Sequence, residues 1–221
     1  MSISTDKIYI CHYSKLTDRK ISILDQLQKL GLDNYMFVEQ FDKDSWDREN
    51  ISKEFPEIFN PANKMNDAEI SLALKHAWIV LDMNMNNHSS VIVLEDDAIL
   101  CDGFVEKYNE YMKQMPSDWD IGWIGSCFGL KEPEISNINI YKTNKGSRCA
   151  HAYCISKLFS IKMIDEIKNI NKQADFYYNY IVDKFNLNNY WFQPPLALQS
   201  LEFYSSLKEN EHFKWNSRDM N

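Results

Sequence analysis

Apolar and polar positions along the chain follow strand and helix periodicities in turn. The β-rich run Lys7–Cys11 predicts a first strand, and apolar residues at helical spacing over residues 21–30 predict a helix that ends at Gly31. Residues 34–38 predict a second strand. A strand, a helix and a strand in this order predict one right-handed crossover unit of a parallel sheet.

The middle of the chain carries the strongest patterns. Residues 67–83 have apolar side chains at helical spacing after a capping Asn66 or Asp67, which predicts a long helix. Residues 90–94 form a wholly apolar, β-branched run, which predicts a buried central strand. Residues 41–66 are polar and aromatic and predict an ordered excursion between these elements.

The rest of the chain continues the alternation of strands and helices. Helices are predicted at 103–114, 156–170 and 175–185, strands at 119–125 and 150–155, and an irregular closing segment at 191–201. Because no internal repeat or linker is present, we expect one α/β domain over residues 1–221. Within this domain, residues 1–125 are expected to form the nucleotide-binding half, and residues 126–221 are expected to form the second half.

Composition and charge limit the kinds of molecule that the protein is expected to bind. The 221 residues carry 24 basic and 32 acidic side chains, for a net charge of −8. This balance argues against a protein that grips a nucleic-acid backbone, which would show a basic stripe. A small anionic substrate stays open, because a bound metal ion or an arginine can invert the local field.

The cysteines and the N-terminal segment indicate the cellular compartment in which the protein is expected. The five cysteines show no CxxC pair and no zinc-like spacing, which favours free thiols in a reducing compartment over a disulfide framework. The N-terminus lacks a basic region followed by a long apolar region, so no signal peptide is expected. No apolar stretch approaches the roughly 20 residues that span a bilayer. We therefore expect a cytoplasmic protein without a transmembrane segment.

Three consecutive acids follow the predicted central strand. Glu95, Asp96 and Asp97 would lie at the carboxyl edge of the sheet, where ligands bind in open α/β folds. Adjacent carboxylates raise one another's pKa unless a cation lies among them, and oxygen ligands suit Mg²⁺ or Mn²⁺. The sequence thus predicts a metal–diphosphate site, with a solvated acidic turn as the alternative.

Six blocks of the sequence resemble a known family in their order and spacing. They are KIYICHYSKLTDRK, DAEISLALKHAWIVL, VIVLEDDAIL, GSRCAHAYCISKLFSIKMID, QADFYYNYIVDK and WFQPPLALQSLEFYSS. The chain resembles glycosyltransferase family 25, the lipooligosaccharide and procollagen galactosyltransferases. Matching positions in the first, second and fourth blocks are Arg19, Glu69, His76, His151, Tyr153 and Ser156. Departures from the family pattern are Cys11-His12-Tyr13 in the first block and Ala68, Ser71 and Lys75 in the second.

The resemblance implies a fold and a metal site. The fold is a GT-A-like single domain with a Rossmann-like, mostly parallel central sheet flanked by helices, in which residues 126–221 form the acceptor-side half. Glu95 and Asp97 would hold Mn²⁺ or Mg²⁺, and Asp96 would contact the ribose or sugar of the donor. Asp175 would be the base that activates the acceptor hydroxyl, although an Asp in a first helical turn also interacts favourably with the helix dipole.

The remaining matched positions are expected at the site of the sugar donor. Arg19 can neutralise phosphate or be a surface arginine, and Glu69 can cap its helix or contact the sugar side. His151 is either a packed strand histidine or a donor contact, and Gln199 could supply an oxygen to the metal or diphosphate. His76 is expected to be structural.

The expected activity is an inverting, metal-dependent transfer of galactose or glucose from a UDP-sugar. The acceptor would be a hydroxyl of a glycan or of a glycosylated or hydroxylated protein. One alternative is a catalytically weak module that binds a glycan or a nucleotide sugar. A dehalogenase-like phosphatase is the other, but that chemistry needs an aspartate nucleophile where Glu95 stands, in a motif near the N-terminus.

Overall fold

A central β-sheet with helices on both faces forms the body of the protein. The computed structural model describes residues 2–60, 62–125, 138–144, 146–147 and 149–200. Its strands are β1 Lys7–Cys11, β2 Tyr35–Val38, β3 Ser90–Glu95, β4 Ala98–Leu100, β5 Ile121–Trp123, β6 Ile140–Thr143, β7 Ala152–Ser156, β8 Asn189–Phe192 and β9 Ala197–Gln199. Its helices are α1 Thr17–Lys29, α2 Arg48–Glu54, α3 Asp67–Met85, α4 Phe104–Gln114, α5 Lys157–Met163 and α6 Ala174–Phe185, with 3₁₀ turns at Pro56–Phe59 and Ile167–Asn169.

Within the described residues, seven of the strands form one sheet in the order β2-β1-β3-β7-β5-β8-β6, and β4 pairs with β9. Strand β1 is parallel to β2 and β3, and β5 is parallel to β8. Only β7 and β6 run against the others, because β7 is antiparallel to β3 and β5 and β6 is antiparallel to β8. This arrangement confirms the α/β fold with a mostly parallel central sheet flanked by helices.

The alternation of side chains along the strands separates two apolar layers. Tyr9 and Val93 pack in one cluster with residues of α3, α5 and α6. Ile10 and Leu94 face the other way and pack with residues of α1 and α4. Because successive side chains of a strand point to opposite faces, the wholly apolar β3 is buried on both sides.

The chain changes direction across the sheet at β1. It leaves β1 through α1 on one face to form β2, and later returns through α3 on the other face to form β3 on the opposite side of β1. The carboxyl ends of β1 and β3 therefore flank a topological switch point. Open α/β sheets bind their ligands in the crevice at such a point.

The structure confirms the strongest sequence patterns and corrects the weaker ones. The helix predicted at 67–83 is α3, and Asn66 and Glu69 form a reciprocal capping box at its start. The ordered excursion predicted at 41–66 contains α2, a short polar helix without a buried residue. The sequence did not reveal this helix, because it has no apolar periodicity there. The helix predicted at 156–170 ends at Met163 in the structure and is followed by a 3₁₀ turn.

The cysteine prediction is wrong in one respect. Cys11, Cys101 and Cys154 are free thiols, as expected. Cys149 is disulfide-bonded, and Cys127 lies outside the described residues. Spacing along the chain did not reveal this disulfide, because a disulfide depends on proximity in the fold and needs no short CxxC spacing.

In the described ranges, no helix has the length and apolar character needed to cross a membrane. A cytoplasmic location stays a prediction. So does the division into halves at residue 125, although strands from both sides of that boundary alternate within the sheet.

Candidate active site

A cleft opens at the switch point, between the carboxyl ends of β1 and β3. Its walls come from the segment after β1, the start of α1, the loop after β2, the first half of α3, the acidic turn and the end of β9. The described residues that line it are Cys11, His12, Tyr13, Leu16, Arg19, Lys43, Ala68, Ser71, Leu72, Lys75, Glu95, Asp96, Asp97 and Gln199. The three consecutive acids thus lie where the sequence places them.

Backbone hydrogen bonds fix the position of the acidic turn. Glu95 is the last residue of β3 and is in register with Cys11 of β1. Its N–H donates to the carbonyl of His151 at 2.8 Å, and the N–H of Asp96 donates to the carbonyl of Cys11 at 3.1 Å. The turn is therefore anchored on both sides of β3, and β4 begins directly after Asp97.

Asp96 is held by two cationic or polar partners. His12 Nδ1 lies 2.7 Å from one carboxylate oxygen, and Arg19 donates to the other at 2.8 Å. Burial alone would raise the pKa of Asp96, but the contacts with His12 and Arg19 outweigh it and the pKa is lowered. Both oxygens of Asp96 are thus occupied within the protein. Its expected contact with the donor ribose or sugar stays a prediction.

Asp97 and Glu95 have a different electrostatic environment. Burial raises the pKa of both, and neighbouring carboxylates add to the effect, although Arg19 opposes it. Asp97 Oδ2 accepts from Arg19 at 3.0 Å and from Gln199 Nε2 at 3.3 Å. Asp97 Oδ1 is buried and has no hydrogen-bond partner among the described residues. A cation beside these carboxylates would therefore stabilise their ionised forms.

The oxygen atoms of the acidic turn fit a divalent cation that also binds phosphate oxygens of a substrate. Two carboxylates, Glu95 and Asp97, are available, and Asp97 offers a buried oxygen without a partner. In the part of the chain that the structure describes, no group of three His, Cys, Asp or Glu side chains is placed to hold a metal ion. Mg²⁺ is commonly bound through one or two carboxylates together with substrate phosphates, so this number is sufficient.

Sequence reasoning missed a buried ion pair on the wall of the cleft. Lys75 of α3 is buried, and its ammonium donates to the carbonyl of His12 and to Asp42 Oδ1. Asp42 Oδ2 in turn accepts from the N–H of Ser14 at 2.9 Å. Burial would raise the pKa of Asp42, but the contacts with Lys75 and Ser14 lower it. The pair joins α3 to the segments after β1 and β2.

One sequence signal could have revealed this arrangement. His12 and Lys75 both lie at positions where the chain departs from the family pattern, and they are in contact through the Lys75 ammonium. A lysine inside the apolar run of α3 also needs a buried acidic partner. Asp42, in a segment without a clear pattern, is that partner.

Replacing Lys75 by Met should destabilise the fold by about 3 kcal/mol, because it leaves Asp42 buried without its partner. Urea unfolding followed by circular dichroism would measure the change. A Lys75→Met/Asp42→Leu double variant is the control, since removing both charges should recover much of the loss. Equal losses in the single and double variants would contradict this explanation.

Glu69, a further predicted site residue, lies outside the described cleft lining. It accepts from the N–H of Asn66 at 2.9 Å and from Gln173 Nε2 at 3.2 Å. Of the two roles considered for Glu69, capping is therefore the one with visible contacts. The donor contact stays a prediction.

His151 also does not line the described cleft, although its backbone supports the acidic turn. Its ring is buried and lies so close to Gly125 that a Cβ atom at this glycine would be only 2.3 Å from Nε2 of the ring. Burial lowers the pKa of His151 to about 4, so the ring is neutral near pH 7. Its predicted contact with the sugar donor is untested.

Asp175 lies in the first turn of α6 and is partly exposed. Its charge is one of those that raise the pKa of Glu95, after burial, Asp97 and Asp96. The structure therefore brings Asp175 towards the acidic turn from a different element. Asp175 is not among the described residues that line the cleft, and its role as the base stays a prediction.

An α/β domain with a mostly parallel sheet and an acidic cleft at its switch point belongs to the class that binds small ligands at the carboxyl edge of the sheet. The sequence profile of glycosyltransferase family 25, described as LPS biosynthesis proteins, matches residues 5–178. The chain belongs to glycosyltransferase family 25 and is a glycosyltransferase.

Two of the solved structures that match this chain cover most of its length. A crystal structure of a glycosyltransferase involved in glycosylation of the major capsid of PBCV-1 shares 9% identity, with a TM-score of 0.49 over 90% of this chain and 93% of that one. The crystal structure of A197 from STIV shares 10% identity, with a TM-score of 0.40 over 92% of this chain and 98% of that one. No curated protein matches the sequence.

Proposed function

We propose that this glycosyltransferase transfers a hexose, galactose or glucose, from a UDP-sugar with inversion of configuration and with help from Mn²⁺ or Mg²⁺. The acceptor is a hydroxyl of a glycan or of a glycosylated or hydroxylated protein. The observation that carries the proposal is the pair Glu95 and Asp97 in the cleft, with raised pKa values and an unpartnered carboxylate oxygen on Asp97.

The residues of the cleft divide the work as follows. Glu95 and Asp97 hold the divalent cation, which, when bound, supplies stabilisation of the negative charge on the leaving diphosphate. Arg19 is positioned by Asp96 beside Asp97 and partly neutralises the acidic turn. Gln199 donates to Asp97 and orients its carboxylate.

A residue outside the acidic turn removes the proton of the acceptor hydroxyl. A carboxylate that binds a cation is a poor base, so the acids of the turn do not accept the proton of the acceptor hydroxyl. Asp175 is on α6, close enough to influence the pKa of Glu95. As the ionised base it takes the proton while the hydroxyl oxygen bonds to the anomeric carbon. The bond from that carbon to the diphosphate breaks on the opposite side, and UDP leaves.

A screen of UDP- and GDP-sugars for hydrolysis in the absence of acceptor tests the proposal. We expect Mn²⁺-dependent hydrolysis of a UDP-hexose that is lost on adding a chelator. The Asp97→Ala variant serves as the control for hydrolysis by contaminating enzymes. Binding of a UDP-hexose without hydrolysis or transfer would instead favour the catalytically weak binding module. Turnover that a chelator does not reduce would contradict the metal-dependent mechanism.

A further inference from the structure

We propose that His76 is a positioning residue that orients Glu95, and that two buried tyrosine hydroxyls hold its ring in place. The inference rests on the proposed function, because that function gives Glu95 its cation-binding role. It assigns a task to a side chain that the sequence suggested was only structural.

The ring of His76 is fixed on one side by hydrogen bonds. His76 Nδ1 lies 2.7 Å from the hydroxyl of Tyr153, which lies 2.9 Å from the hydroxyl of Tyr178. The three residues come from α3, β7 and α6, so the chain of hydrogen bonds joins three elements. All three side chains are buried.

Aromatic packing restrains the same ring. The centroids of His76 and Tyr153 are 5.7 Å apart in a stacked arrangement, and the ring of Tyr178 meets His76 edge-on at 5.9 Å. A flip of the imidazole would break the contact of Nδ1 with Tyr153. The other ring nitrogen, Nε2, therefore has a fixed direction.

The fixed nitrogen faces the carboxylate of Glu95. His76 Nε2 lies 3.6 Å from Glu95 Oε1 and is buried without a hydrogen-bond partner among the described residues. This distance is slightly longer than a hydrogen bond, and a small rotation of the Glu95 side chain would close it. Strand β7, which carries Tyr153, is also the neighbour of β3, which carries Glu95.

This geometry gives Glu95 one preferred orientation. Burial raises the pKa of Glu95, and repulsion from Asp97, Asp96 and Asp175 adds to the effect, although Arg19 opposes it. A polar ring that is itself locked limits how far the Glu95 carboxylate can turn in response to these neighbours. Outer partners of metal ligands commonly act in this way, and their loss typically lowers metal affinity 10- to 100-fold.

The test measures binding of Mn²⁺ alone, by its electron paramagnetic resonance signal, in the 221-residue chain without a sugar donor. We expect His76→Phe to weaken Mn²⁺ binding by about 10- to 100-fold. Tyr153→Phe, which removes only the hydroxyl that fixes Nδ1, should weaken it by a smaller factor. Tyr108→Phe is the matched control, because Tyr108 is a buried tyrosine in the opposite apolar layer and should leave Mn²⁺ binding unchanged.

Repeating the His76 substitution in a Glu95→Gln variant distinguishes a positioning role of His76 from a general loss of structure. In Glu95→Gln protein, His76→Phe should cause little further change in Mn²⁺ binding, because its effect passes through Glu95. An equal loss in both backgrounds, or unchanged Mn²⁺ affinity in either single variant, would overturn the role of His76. If His76→Phe does not fold, Tyr153→Phe in the two backgrounds decides the question. Failure of the unmodified protein to bind Mn²⁺ would overturn the proposed metal-dependent function and, with it, this inference.

Discussion

Replacing Asp175 by Asn is expected to lower turnover by about 100-fold to 10,000-fold, the range for loss of a general base. Asn keeps the size and most hydrogen bonds of Asp but cannot accept the proton of the acceptor hydroxyl. The affinity for the sugar donor should change little, because the acidic turn at Glu95–Asp97 is untouched. Steady-state kinetics of transfer, with donor binding measured separately by calorimetry, would give both quantities.

The matched control for this variant is Asp183→Asn, on the same helix. Asp183 is exposed, so its substitution should leave turnover near normal. If Asp175 only interacts with the dipole of α6, Asp175→Asn would cost a little stability and leave transfer almost unchanged. That result would require a different base.

Replacing Asp97 by Ala is expected to lower turnover by at least about 100-fold while the fold persists. The change removes the unpartnered buried oxygen that fits a cation, and it removes the acceptor for Arg19 and Gln199. Arg19 keeps its hydrogen bond to Asp96, so the guanidinium does not become an unpaired buried charge. Titration of Mn²⁺ into the rate assay would show the lost metal dependence.

Circular dichroism would confirm that Asp97→Ala is folded, and Asp102→Ala is the matched control. Asp102 is an exposed acid shortly after the same turn, and its loss should affect neither rate nor metal dependence. Full activity of Asp97→Ala in the presence of a chelator would show that the metal mechanism is wrong.

The sequence revealed those parts of the fold whose signals are local. The apolar run of β3, the helical spacing of α3 and the acids at 95–97 are each visible within a short window, and the structure has them at the predicted positions. Strands β4, β6, β8 and β9 were not predicted, and each is only three or four residues long. A window that short contains too few positions to establish a period of two. Strands β2 and β5 are equally short, but the β-rich pattern at each of them extends beyond the strand itself.

The candidate site was only partly predictable because its remaining contacts are distant in sequence. His12 meets Asp96, and Lys75 meets Asp42, only after β1, α3 and the loop after β2 have packed together. The case of Glu69 is different, because a capping box and a contact with substrate both call for a carboxylate near a helix start. Only the structure shows that both of its oxygens already have partners within the protein.

The central position of β7 has a consequence for synthesis of the protein. Leu94 of β3 pairs with Ala152 of β7, so the middle of the sheet joins segments that leave the ribosome far apart in time. Until β7 emerges, a nascent chain carries β3 with one unpaired and strongly apolar edge, which is a template for association with other chains. Pairings between remote segments also slow folding, so truncated or stalled chains should be prone to aggregation.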